Sequence, residues 1–332
     1  MKHWTEPNGI FLIQIPTEWQ YLNPVVEDEE EKSPYSFQPY ENAKGCFQIS
    51  CYPLDELSPK LADQYPNGVP SSTWRSYRMD DSEFCVHMFF GAIEDQALIG
   101  KFIYDSNLEN DGRINAELRV VDDILKSLVI VPPDDRKLAS DMDKLDRFQG
   151  ALAASYDLLD NAIESDSFIE VIAVSSNQID AFLRLSIVIS IQLKNQTDEV
   201  PLKYLFQAEA ERGLMERKIY DDALKYSVIT DNDHKELNSL YKLRNRVIHR
   251  YIISDIKTRD LPGIALRYIE ASEKVRLILR DLENEQKCCQ YGIYGKKFMK
   301  FSEPDDEAVK RLFADVNDKH LIRKFARKIT ND

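Results

Sequence analysis

The stretch from Leu237 to Ile252 carries Arg244, Asn245, His249 and Tyr251 among leucines, isoleucines and a valine. On a helix projected at about 100° per residue, Leu237, Leu240, Val247, Ile248 and Tyr251 fall within about 60° of Arg244. The arginine thus lies in the middle of the apolar stripe. An unpaired guanidinium there would be costly, so it requires a carboxylate, a carbonyl, an interface cavity or a ligand phosphate. Asn245 and His249 share one flank of the stripe and face a groove beside Arg244, while Lys242, Arg246 and Arg250 form an electropositive edge on the next sector. A guanidinium holds a phosphodiester through two parallel hydrogen bonds, and an imidazole titrates near neutral pH. Together they are equipped to cleave RNA without a metal or cofactor. His249 would assist proton transfer for attack by the 2′-hydroxyl, and Arg244 would stabilise charge on the phosphorus oxygens. One histidine serves poorly as both acid and base; a symmetric dimer would supply a second.

Arg244-Asn245-Arg246-Val247-Ile248-His249 resembles the Arg-x4-6-His motif of HEPN domains, including the polar residue favoured straight after the arginine. With Tyr251 it is similar to the longer Arg-x4-His-x-Tyr form of HEPN toxins from nucleotidyltransferase-linked systems. The resemblance implies a dimeric helical bundle, metal-independent RNA cleavage, Arg244 and His249 as catalytic residues and Asn245 in support. It also implies that Tyr251 is a candidate site at which a partner nucleotidyltransferase adds nucleotides. Lys242, Arg246 and Arg250 are the candidate RNA contacts. The bland alternative keeps the fold without the chemistry. Arg244 then pairs with Asp180 or another core acid, His249 is a helix-flank residue, Tyr251 is core, and the protein is a non-catalytic dimeric interaction or RNA-binding module. Asp180 and Arg184, four apart, read as a structural ion pair.

The elements that must position these groups follow from a change of pattern along the 332 residues, a length that predicts two domains. Val131-Pro132-Pro133-Asp134-Asp135 is the expected linker, dividing domain 1–133 from domain 134–332. Before it, 10 Lys+Arg face 22 Asp+Glu; after it the balance is 33 to 35. The overall charge of −14 therefore sits mostly in the first part, and the second is open to a nucleic-acid partner. The acidic run Glu27 to Glu31 reads as a solvated loop.

In the first domain, strands are predicted at Gly9 to Ile15, Cys46 to Pro53, Glu83 to Phe90 and Ala97 to Tyr104, then a helix at Asn115 to Leu128 and a strand at Leu128 to Val131. Its opening Ile10-Phe11-Leu12-Ile13-Gln14-Ile15-Pro16-Thr17-Glu18-Trp19 and helix-to-strand close are similar to Mog1/PsbP-like α/β sandwiches. That resemblance implies an α+β domain that binds partners, in a regulatory or sensing role. His87 reads as a strand residue.

After the linker the apolar period is helical, predicting an all-α bundle: Leu138 to Ile163, Phe168 to Gln192, Lys203 to Met215, His234 to Ile253, Pro262 to Cys288, and Glu307 toward Ile329. The last of these ends in a basic extension, Lys319 to Lys328, which reads as a solvated helix face. Lys296, Lys297 and Lys300, interleaved with Tyr291, Tyr294 and Phe298, either stack on bases or pack a loop. Phe182 to Leu193 is too short to span a bilayer and reads as a buried helix; with no secretory signal, the expectation is a cytoplasmic protein. Five cysteines, an odd number, fit free thiols in a reducing compartment. Cys46 and Cys51 should lie on opposite faces of a strand, and Cys288 and Cys289 at a helix end, so no metal site is expected.

Overall fold

The computed structural model describes residues 1–22, 33–57, 65, 67–78, 84–109, 111–207, 213–299, 305–321 and 323–328. The acidic run Glu27 to Glu31 lies outside them. The chain is an antiparallel α+β region followed by a helical one. It divides into two compact units, Met1–Asp143 together with Phe313–Asp332, and Lys144–Leu312. The division therefore falls inside a helix, ten residues past the proline linker, and the C-terminal segment joins the first unit rather than the second.

In the first unit, β1 (Lys2–Thr5), β2 (Phe11–Ile15) and β9 (Val129–Ile130) form one sheet in the order β1-β2-β9. A six-stranded sheet runs β3-β4-β5-β8-β7-β6, made of β3 (Trp19–Tyr21), β4 (Tyr35–Pro39), β5 (Gly45–Pro53), β6 (Gly68–Arg78), β7 (Phe84–Ile93) and β8 (Gln96–Asp105). Alternation along the strands sends Phe47, Ile49, Leu98 and Phe102 inward, where they join Phe11 and Ile13 and the buried face of α1 (Gly112–Lys126), Ile114, Val121, Ile124 and Leu125. Gly45 opposes Tyr104, and a Cβ on it would sit 2.2 Å from the Phe102 ring, so the glycine lets that ring close over β5.

The strands missed by pattern are informative. β1 is polar by composition, β3 has three residues, β4 alternates over only four residues before its proline, and β6 is rich in Ser, Thr and Arg, so each is too short or too polar to stand out in the sequence. Ladder hydrogen bonds to longer strands and, in β3 and β4, the buried Trp19, Tyr35 and Phe37 hold them in place. Cys46 and Cys51 do fall on opposite faces, paired with Ile103 and Leu98; burial pushes the Cys51 thiol up to about 12.

The second unit is built on α3 (Phe168–Asn195), which follows α2 (Arg136–Glu164) and packs along α6 (Leu261–Gln286) while touching α4 (Glu216–Lys225) and α5 (Asp231–Arg250). α3 is long and apolar enough to cross a membrane, but 72% of its most apolar window is buried inside the protein. That is the composition of a central core helix. Gln192 on α3 and Gln286 on α6, both fully buried, bond to each other at 3.0 Å; Gln192 accepts from the Ile293 amide and Gln286 from that of Tyr294. They thereby pin the chain after α6, which continues into α7 (Lys296–Met299).

Two predicted helices are corrected. Lys203 to Met215 is not helical where described: a 3-10 turn, Leu202–Tyr204, leads into irregular chain, with 208–212 outside the described residues. Arg184 captures the carbonyls of Tyr204 at 3.3 Å and Leu214 at 2.8 Å, so tertiary bonds override the local helix propensity. The helix expected from Glu307 toward Ile329 is α8 (Asp305–His320) and stops there. Leu321 takes φ 46°, and the Asn317 side chain bonds both the amide and the carbonyl of Arg327, folding the basic extension back.

Candidate functional site

α5 begins earlier than its apolar period indicates. Thr230 and Asp233 form a capping box, Thr230 Oγ1 accepting from the Asp233 amide at 3.2 Å and Asp233 Oδ2 from the Thr230 amide at 3.0 Å. Leu237, Leu240 and Val247 are the buried residues of this helix. Arg244 stands among them with its side chain 16% exposed.

The partner its burial demands is Glu216, the first residue of α4. Arg244 Nη1 is ion-paired with Glu216 Oε2, and the other carboxylate oxygen accepts from the Tyr220 hydroxyl. Nη1 also donates to Ser176 Oγ of α3 at 3.3 Å, and Nη2 to Asn245 Oδ1 at 3.1 Å. The guanidinium lies 5.0 Å from the Tyr241 ring centroid. Glu216 is itself only 14% exposed, so the pair is shielded from salt far better than a surface bridge.

Asp180, named with other core acids as a partner for Arg244 in the bland reading, is bonded to Arg184 one turn along α3, the structural ion pair expected of those two residues. Burial pushes the Asp180 carboxyl upward, against the pull of Arg184 and, less strongly, Arg244; its Oδ1 is buried without a hydrogen-bond partner.

The structure brings Arg244 and Asn245 into one hydrogen-bonded unit with Ser176 and Glu216. It sets His249 one turn further along, exposed, and leaves Lys242, Arg246 and Arg250 exposed too. The projected position of Tyr251 is corrected: α5 ends at Arg250, and Tyr251 opens a 3-10 turn, Tyr251–Ile253. There it is half-buried, with its hydroxyl 2.6 Å from Thr258 Oγ1. Ile248 is likewise not core at 38% exposure, and Ile252 and Ile253 are 95% and 83% exposed.

Glu216 is the site residue that sequence reasoning missed. It is 28 residues from Arg244, on a helix whose pattern was not recognised. The available signal was local: Glu216 and Tyr220 are four apart, with Ile219 and Ala223 on the apolar side of a short amphipathic run.

The remaining candidates take structural roles. His87 stacks on Tyr104 and bonds its hydroxyl at 2.8 Å, and burial lowers its basicity. Lys297 pairs with Asp198 at 2.8 Å, and the buried Tyr294 bonds Gln149 at 2.9 Å, so that region packs a loop; Lys300 lies outside the described residues. In the basic extension His320 stacks on Phe325 and the Arg327 guanidinium lies 5.1 Å from the Phe313 ring centroid. Cys288 and Cys289 donate weakly to the Asn284 and Glu285 carbonyls. Among the described residues no group of three or more His, Cys, Asp or Glu is arranged to hold a metal.

No family model matches this chain, and no curated protein does. Among solved structures, a protein from Bacteroides thetaiotaomicron VPI-5482 is similar over 59% of this chain and 78% of its own, at 13% identity and a TM-score of 0.29. A likeness at that level fixes neither fold nor activity.

Proposed function

We propose that the helical unit is a HEPN-type, metal-independent ribonuclease that works as a homodimer in the cytoplasm, a defence or toxin effector with the acidic first unit as its regulatory or sensing domain. One observation carries the reading. A half-buried Arg244–Asn245 unit lies on the same helix as an exposed histidine, His249, and an exposed cationic edge, Lys242, Arg246 and Arg250. The edge attracts the RNA backbone. His249 takes the proton of the 2′-hydroxyl, whose oxygen attacks phosphorus and expels the 5′-oxygen, while Arg244 stabilises the charge on the non-bridging oxygens. The leaving oxygen takes its proton from His249 of a second copy, for which the exposed Ile252 and Ile253 offer apolar surface beside the site. Tyr251, exposed enough to be reached, is the candidate for modification by a partner nucleotidyltransferase.

A specific observation favours the second reading, a non-catalytic interaction or RNA-binding module. Arg244 is already neutralised by Glu216, as a structural strut would be. Cleavage of total RNA in EDTA by the purified chain, beside folded H249A and R244Q variants, decides between them. The ribonuclease reading expects cleavage by the parent and a loss of about a hundredfold or more in both variants. Parent protein and an E216Q variant that are both inert at matched concentration and fold favour the module.

A further inference from the structure

We infer that Glu216 is a resident competitor for RNA phosphate at Arg244, so that the site engages RNA only when this carboxylate gives way. The inference rests on the ribonuclease reading of Arg244 and adds a regulatory contact to it.

Three features of the geometry carry it. A phosphodiester and a carboxylate ask the same thing of a guanidinium, two N–H groups in a planar fork, and each brings one negative charge. Glu216 occupies Nη1, and with it in place the Arg244–Glu216 pair has no net charge to offer an incoming phosphate. The pair is also poorly exposed, so salt does not loosen it and an anion that displaces Glu216 must replace it in kind.

The carboxylate, secondly, has somewhere to go. Its Oε1 accepts from Tyr220 on the next turn of α4, and its place at the first position of that helix is favourable for a negative charge. Burial and the neighbouring Glu216 push the Tyr220 hydroxyl well above the usual phenol range, so it remains a donor at any working pH. Glu216 released from Arg244 therefore stays partnered.

Thirdly, the other contacts of Arg244 suit the exchange. Ser176 and Asn245 hold Nη1 and Nη2 through side-chain oxygens without carrying charge. They orient the fork and leave the anion as the only member that must change.

The test is the affinity of the full chain for a short, fluorescently labelled 2′-O-methyl RNA, which lacks the attacking hydroxyl, measured across a salt series. The proteins are the parent, E216Q, R244Q and E216Q/R244Q, each checked for folding by circular dichroism. Glutamine keeps the shape and removes the charge: its amide oxygen still accepts from Arg244, while its NH2 turns the second bond round and donates to the Tyr220 oxygen. E216Q is expected to bind about tenfold tighter, the gain from one charge-assisted contact. Its log-affinity should fall more steeply with log salt by about 0.7, one more phosphate neutralised on a single strand. Both gains should vanish when R244Q is combined with it. A merely structural Glu216 would lower the melting temperature without moving the salt slope. Parent binding that depends on Arg244, together with E216Q affinity and slope no greater than the parent's, overturns the competitor role and leaves the ribonuclease reading standing. Binding that is absent from parent and E216Q alike, or indifferent to R244Q in both, overturns the two together.

Discussion

Arg184 and Arg244 are two arginines of the same helical unit, with side chains 18% and 16% exposed, and they are satisfied in opposite ways. Arg184 has a carboxylate one turn away on its own helix and two backbone carbonyls, those of Tyr204 and Leu214. Arg244 has side-chain partners alone, drawn from α3, α4 and its own neighbour. Backbone carbonyls cannot leave without unfolding the segment that carries them, whereas a carboxylate needs only a rotamer change. Burial alone therefore does not separate a strut from a site; the kind of partner does. Arg184 ties down the irregular chain ahead of α4, and that chain delivers Glu216 to Arg244.

The largest effect expected from this contrast is on stability. Arg184→Ala leaves Asp180 buried without its cation and frees two carbonyls, and should cost about 3–5 kcal/mol in urea unfolding. A loss below about 1 kcal/mol would dissolve the strut assignment. Arg244→Gln keeps an amide within reach of Glu216 and should cost only about 1–2 kcal/mol. If Arg184→Gln costs the same as Arg244→Gln, the two arginines are equivalent and the second reading of Arg244 gains.

A smaller contrast is in pH dependence. Burial raises the Asp180 carboxyl above its ordinary value of 3.8, so the folded chain takes up that proton before the unfolded chain does. Asp180 thus penalises the fold at neutral pH, and the penalty is relieved as pH falls through the raised value toward 3.8. The stability of the parent minus that of Asp180→Asn should accordingly grow in the parent's favour between pH 7 and 4; a flat difference would mean that Asp180 is not buried as a charge. The smallest stability effect belongs to His249→Ala, within about 0.5 kcal/mol, because the residue is exposed. A larger loss would assign His249 to the fold rather than to chemistry.

Where each expectation succeeded follows from the range of the interaction behind it. The long helices α2, α3 and α6 were legible because a 3.6-residue apolar period and bulk burial agree over many turns. The strands β5, β7 and β8 were legible from alternation, but β1, β3, β4 and β6 were not, since their runs are too short or too polar to show a period although Trp4, Trp19, Tyr35 and Phe37 enter the core. The end of α5 shows the limit of projection. Extending a helical wheel one residue past Arg250 placed Tyr251 on the apolar stripe, when the backbone had already tightened into a 3-10 turn.

The sequence by itself determined that the chain has an acidic α+β part and a helical part, and that Arg244 needs an anion or an equivalent partner. Both follow from local composition and from the cost of burying charge, which hold wherever the chain folds. Only the tertiary structure decided which anion it is, that Asp180 serves Arg184 instead, and that the C-terminal segment joins the first unit. Those choices are made between residues tens of positions apart, where spacing along the chain carries no information about distance in space.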